Sequence, residues 1–186
     1  MNLNIKSAEG RLGILLPGMG AVATTFIAGV YAVNKGISKP IGSTTQMGRI
    51  RIGKRTDNNT PLIKDFIPLA DIKNIAFGGW DLFNDNVYQS AVNAGVLDRY
   101  TLEQLKPELE AIKPMKAVFD KKYVIKLDGP NVKTGATKMD LAEQLRQDIR
   151  DFKAKNNCDR LVMVWCGSTE IYIQESDVHQ TIESLE

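Results

Sequence analysis

Gly18, Gly20 and Ala23 stand at the spacing G-x-G-x-x-A, directly after the apolar run Leu12-Gly13-Ile14-Leu15-Leu16 and directly before a helical stretch that opens at Ala21. In a strand-turn-helix setting that spacing holds an anion. The first glycine makes the tight turn, the second lets backbone approach a phosphate, and the small third residue lets helix pack on strand. The helix start adds unpaired N–H groups and the positive end of its dipole. The chemistry predicted for Gly18, Met19, Gly20, Ala21, Val22 and Ala23 is therefore recognition of a dinucleotide's pyrophosphate by backbone. An ordinary strand-to-helix turn that needs close packing uses the same small residues, and both readings stand at this point.

Two further groups fall where such a fold binds its ligand. Asp81 closes the apolar stretch that starts Asn74-Ile75-Ala76-Phe77 and runs through Gly78-Gly79-Trp80. In a doubly wound sheet the acid ending the second strand accepts the ribose hydroxyls of adenosine. The usual distance from the glycine turn is about 20 residues, so this assignment requires an insertion, placed at about residues 39–70. The alternative is Asp81 as N-cap of a helix around residues 84–94. The third group is Cys166-Gly167-Ser168, at the end of the unbroken apolar run Leu161-Val162-Met163-Val164-Trp165. Such a run suits a central parallel strand covered on both faces, and small residues at its carboxyl end leave room for a cofactor.

Other chemistries find little support. With two cysteines, Cys158 and Cys166, and a single histidine, His179, the chain has no His/Cys cluster for a catalytic metal and no disulfide framework. Neither cysteine has a histidine nearby in sequence to activate it, so Cys158 reads as a loop or helix-end thiol and Cys166 as a small buried hydrophobe. His179 reads as a surface residue at a helix start.

The elements that must position these groups alternate along the chain. A first helix is predicted over residues 21–35, then a loop with a small hairpin over 39–70, where Gly42, Gly48, Gly53, Pro61 and Pro68 punctuate an alternating piece at 47–52. A helix near 102–112 precedes a short strand at Ala117-Val118-Phe119. The strongest helix pattern covers 138–155, with Leu141, Leu145, Ile149 and Phe152 on one face. Near the end, Ser176-Asp177 reads as a helix cap followed by the stripe Val178, Ile182 and Leu185. The order predicts an α/β class, a Rossmann-like doubly wound and mostly parallel sheet with the insertion described.

Composition fits one globular domain over residues 1–186: the chain is 43% apolar, and its 24 basic and 22 acidic residues are dispersed, for a net charge of +2. No basic stripe attracts nucleic acid, and no run reaches the roughly 18 apolar residues of a membrane helix. The expected setting is cytoplasmic, without nucleic acid or membrane as partner.

Several separated motifs then carry a resemblance. Phe77-Gly78-Gly79-Trp80-Asp81, the stretch Asn93-Ala94-Gly95-Val96-Leu97-Asp98, the run Asp148-Ile149-Arg150-Asp151-Phe152-Lys153 and the strand-loop Val164-Trp165-Cys166-Gly167-Ser168-Thr169-Glu170 together resemble the myo-inositol-1-phosphate synthase family, from about Arg11 onward. The resemblance implies NAD as cofactor and conversion of glucose 6-phosphate to 1L-myo-inositol 1-phosphate by oxidation at C5, enolisation, aldol closure and reduction. It implies a homo-oligomer, a tetramer in the family, and cofactor contacts on Gly18 to Ala23, Asp81 and Cys166-Gly167-Ser168.

The chain departs from that pattern at two places. Many members carry Gly-Gly-Asn-Asn-Gly at the turn, where this chain has Gly20-Ala21-Val22-Ala23-Thr24. Backbone donors, with the Thr24 or Thr25 hydroxyl, are expected to replace the lost amides. Cys166-Gly167-Ser168 replaces a common Thr-Ala-Asn. The family's sugar-phosphate groups lie in a later domain, so residues 1–186 are expected to be a truncated, inactive cofactor part. A stand-alone dinucleotide-binding module is the alternative. A simple NAD-dependent sugar dehydrogenase fits less well, since no histidine, lysine or tyrosine motif supplies its proton acceptor.

Overall fold

The structure is a computed structural model and describes residues 8–120, 127–167 and 175–185. Four parallel strands form one sheet in the order β3-β2-β1-β4: β1 is Leu12–Pro17, β2 Ile75–Asp81, β3 Met115–Lys116 and β4 Arg160–Met163. Leu12 stands opposite Ile75 on one side and Arg160 on the other. Successive side chains of a strand point to opposite faces, so β1 feeds two cores. Ile14 and Leu16 pack with Phe77 against the helices α1 (Ala21–Asn34), α4 (Val87–Ala94) and α5 (Arg99–Glu110), which bury Ile27, Val87, Leu105 and Leu109. Leu15 points the other way and meets Ala76, Trp80 and Phe152, the last from α6 (Lys138–Lys155). Helices thus cover both faces, as the alternation predicts.

Glycines in the strands make the seat for α6. A Cβ on Gly13 would lie 2.8 Å from the Phe152 ring and one on Gly78 2.5 Å from it, so the ring rests directly on strand backbone. α6 keeps its predicted bounds because both ends are specified. Thr137 and Asp140 cap each other's backbone reciprocally at the start, and Lys153 and Lys155 sit at the negative end of the helix dipole.

Residues 39–70 contain two single-turn helices, α2 (Thr44–Met47) and α3 (Ile63–Phe66), and a narrow antiparallel ladder. Arg49 bridges to Leu62, and the N–H groups of Ile50 and Ile52 donate to the carbonyls of Pro61 and Asn59. No residue of this segment is buried.

Several elements differ from the sequence reading. α4 begins at Val87, not near residue 84, because Asn86 accepts the Gln89 N–H and caps it. The third strand is Met115–Lys116, with Ala117 only bridged to Val132, since the buried Asn131 amide spans the Asp81 and Met115 carbonyls and does the work of a strand partner. β4 ends at Met163 and lies at the edge of the sheet, not its centre, leaving Val162, Met163, Val164 and Trp165 exposed. The Ser176-Asp177 start leads to a single 3₁₀ turn, Asp177–His179, and a separate helical turn α7 (Ile182–Leu185), with Val178 and Ile182 exposed. Among the described residues no helix is long and apolar enough to cross a membrane.

Candidate dinucleotide-binding site

At the carboxyl end of the sheet a cleft of about 940 Å³ brings three distant parts of the chain together: residues 17–22, Trp80 to Phe83, and Trp165 to Gly167. The turn after β1 is fixed from several sides. Gly18 has φ +86°, a left-handed conformation that favours glycine, and a Cβ there would lie 2.5 Å from the Gly167 Cα. Its N–H donates to the Trp80 carbonyl at 2.9 Å, and the Cys166 N–H donates to the Pro17 carbonyl at 2.9 Å. The Met19 N–H donates to Asp81 Oδ2 at 2.6 Å, while the Ser90 hydroxyl donates to the Met19 carbonyl at 2.7 Å. The Met19 side chain, 2% exposed, roots the turn in the core.

Gly20 differs in kind from Gly18. Its φ of −84° suits any residue, and a Cβ built on it meets nothing within 4 Å. The open space lies at the start of α1, which has neither a side-chain cap nor an acidic residue in its first turn. First-turn N–H groups of a helix have no intrahelical partner, so those after Gly20 are available to an anion. No lysine or arginine lines the cleft among the described residues, and the backbone donors and helix dipole at the start of α1 offer it positive potential. The carboxylates of Asp81, bonded to the turn through the Met19 N–H, and of Asp85 also line the cleft, as acceptors suited to hydroxyl groups. Asp85 is held in place by a relay, with the Gln89 amide donating to Asn93 and the Asn93 amide donating to Asp85.

The predicted site residues separate into those that reach the cleft and those that do not. Gly18, Met19, Gly20, Ala21, Val22, Asp81, Cys166 and Gly167 line it. Ala23 is fully buried beneath it, the close-packing position of the spacing. Ser168 lies outside the described residues. The Thr24 and Thr25 hydroxyls are not among the cleft's lining groups: Thr24 is 1% exposed with its Oγ donating back to Ala21, and the Thr25 Oγ is buried. Asp81 caps no helix, that place being taken by Asn86, and its second oxygen accepts the Phe83 N–H at 3.0 Å. Cys166 lines the cleft as a thiol, its pKa pushed up by burial. The sequence reading missed Asp85, Ser90 and Asn93. For Ser90 the only available signal was a polar residue beside the apolar pair Val87 and Ala91, which α4 buries.

An N–H-rich turn with open space above it, in one apolar cleft with two carboxylates at the carboxyl ends of parallel strands, fits a dinucleotide. The fold and site therefore define a nucleotide-binding α/β domain. A family model described as myo-inositol-1-phosphate synthase, NAD-binding, matches residues 12–186. The chain belongs to the myo-inositol-1-phosphate synthase family, and what it matches is that family's NAD-binding domain. It is 52% identical to inositol-3-phosphate synthase 1 of Bacteroides thetaiotaomicron over 187 residues, covering 100% of this chain and 43% of the relative. With the rice inositol-3-phosphate synthase 1 it shares 33% identity, over 87% of this chain and 35% of that protein. The chain thus spans less than half the length of these relatives. The crystal structure of inositol-3-phosphate synthase from Caenorhabditis elegans superposes with a TM-score of 0.75 at 23% identity, over 87% of this chain and 35% of that one, a likeness of fold.

Proposed function

We propose that residues 1–186 hold NAD for an inositol-3-phosphate synthase that converts glucose 6-phosphate to 1L-myo-inositol 1-phosphate by oxidation, enolisation, aldol cyclisation and reduction. The observation that carries the proposal is the open face of Gly20, at an uncapped helix start and in one cleft with Asp81. The backbone around Gly20, Ala21 and Val22 takes the pyrophosphate, Asp81 the adenosine ribose, and Cys166 and Gly167 flank the remainder. Bound NAD supplies a reversible hydride acceptor, so the sequence is redox-neutral overall. The chain's own groups bind and orient that cofactor: Gly18 against Gly167 closes one wall, and Leu145, Ile149 and Trp165 give the cleft its apolar lining.

Charge favours a division of labour. With no lysine, arginine or histidine lining the described cleft, nothing there neutralises a sugar phosphate or an enolate, a stabilisation that contributes several kcal/mol per group. We read residues 1–186 as a dinucleotide-binding module and, as the chain spans less than half the length of its relatives, assign turnover and homo-oligomer assembly to the whole of such a protein. Calorimetric titration with NAD tests this. Saturable binding of one NAD per chain, without inositol phosphate formation from glucose 6-phosphate, is expected. Absence of NAD binding overturns the reading, and inositol phosphate formation by this chain overturns the division.

A further inference from the structure

Met19 is held by side chains at both of its backbone polar groups: its N–H by Asp81 at the end of β2, its carbonyl by Ser90 on α4, 71 residues away. A peptide unit is planar and trans, so the Met19 carbonyl and the Gly20 N–H are antiparallel within one rigid plane. Whatever fixes the carbonyl fixes the direction of that N–H. The flanking groups are held elsewhere, the Met19 N–H by Asp81 and the Gly20 carbonyl by the Thr24 N–H at 3.0 Å, so among the described residues the Ser90 hydroxyl makes the hydrogen bond to this plane itself, and no side chain packs where a Gly20 Cβ would be. We propose that Ser90 is a positioning residue: by donating to the Met19 carbonyl it sets the Met19–Gly20 peptide plane, and so aims the Gly20 N–H at the cofactor's pyrophosphate.

This inference rests on the NAD reading above. Ser90 lines the same cleft, so water can reach the Met19 carbonyl when the hydroxyl is removed. The fold therefore keeps its hydrogen bond count while the turn loses its preset direction. The cost falls on ligands that carry a pyrophosphate and spares those that do not.

The experiment is calorimetric titration of the 186-residue chain, wild type and Ser90→Ala, with NAD and ADP-ribose, and with adenosine by competition. Ser90→Ala is expected to weaken NAD and ADP-ribose roughly 3- to 10-fold, the scale of one neutral hydrogen bond, with adenosine affinity and Tm unchanged. Ser90→Thr, which keeps the hydroxyl, is expected to behave as wild type. Unchanged ADP-ribose affinity in Ser90→Ala, or an equal loss for adenosine, overturns the role of Ser90 while leaving NAD binding intact. Failure of the wild-type chain to bind NAD overturns the cofactor reading and this inference with it.

Discussion

Asp81 Oδ2 accepts the Met19 N–H at 2.6 Å, tying the end of β2 to the turn after β1 across 62 residues of sequence. With the Phe83 N–H on its other oxygen, the carboxylate organises the cleft as well as facing it. Asp81→Ala is accordingly expected to lower both NAD affinity and stability, since the Met19 N–H loses its acceptor, a cost of about 1–3 kcal/mol. Asp81→Asn keeps an acceptor for one of the two N–H groups and turns an NH2 on the other, so it is expected to fall between wild type and Asp81→Ala in stability while losing the charge that favours the ribose. Chemical denaturation alongside NAD titration checks the pair, and full stability in Asp81→Ala would show that the contact to Met19 carries no weight.

Gly18 and Gly20 are expected to fail in opposite ways. Gly20→Val adds its side chain to open space at an ordinary φ, so the chain still folds, with a loss of about 1 kcal/mol or less from the poorer N-cap, while the methyl groups occupy the phosphate position and abolish NAD binding. Gly18→Ala forces a Cβ against Gly167 at positive φ and is expected to destabilise by about 1–3 kcal/mol. Thr24→Ala, at a buried hydroxyl turned back on its own helix, leaves NAD affinity unchanged. Melting curves with and without NAD separate these cases.

Asp81 and Asp85 both line the cleft, and with the ribose on Asp81 as proposed they set an expected preference for NAD over NADP, whose additional phosphate they repel. Asp85→Asn is expected to narrow that preference several-fold without weakening NAD. Competition between the two dinucleotides reads it directly, and an unaltered ratio would place the ribose away from Asp85.

Beneath α6, on the sheet face that Leu15 and Trp80 share, Asp148 accepts the Trp80 indole N–H at 2.7 Å and pairs with Lys133 at 2.9 Å, all three groups being largely shielded from solvent. Asp148→Asn leaves the Lys133 ammonium without its counter-charge. Breaking a fully buried pair costs about 3–5 kcal/mol, and partial solvent access here brings the expectation to roughly 1–3 kcal/mol. A double-mutant cycle of Asp148→Asn with Lys133→Met, read by urea denaturation, should show strong coupling, and additivity would deny it.

Tyr31 stacks edge-on against Phe77 with ring centroids 5.8 Å apart, and burial, reinforced by the charge of Glu108 and opposed by Arg11, pushes its phenol above the ordinary value. A raised folded pKa means stability that is complete below about pH 10 and lost as pH rises through the folded value. Tyr31→Phe keeps the ring and removes the titration, so its stability should decline less steeply than wild type above about pH 10. Parallel slopes in thermal unfolding across that range would assign the alkaline loss to other groups.

The parts of this molecule that were legible in the sequence are those specified by neighbours. The glycine turn declares itself through residues at 18, 20 and 23, and α6 through its Thr137–Asp140 cap and its apolar stripe. The parts that were not legible depend on partners far along the chain. Asp81 reads from the sequence as a ribose acceptor, with a helix cap as the alternative, and neither reading discloses that its oxygens accept the Met19 and Phe83 N–H groups. β3 is two residues long because an asparagine side chain from position 131 completes its pairing, which no periodicity announces. β4 reads as a central strand because its run is apolar throughout, and an apolar run carries no information on whether a neighbour lies beside it.

The pairing of β1 with β4 also governs when the sheet can close. The Arg11 N–H meets the Asp159 carboxylate 148 residues further on, and Leu12 stands opposite Arg160. During synthesis at about 5–20 residues per second, β1 emerges roughly 7–30 s before the strand that flanks it on that side. Within that interval β1 can already join α1 and β2, leaving one row of its backbone donors and acceptors unpaired. The interval is fixed by the order of the strands along the chain, so substitutions in the cleft cannot shorten it, whereas slowing or speeding translation between residues 81 and 160 changes how long the growing sheet must be shielded from its neighbours.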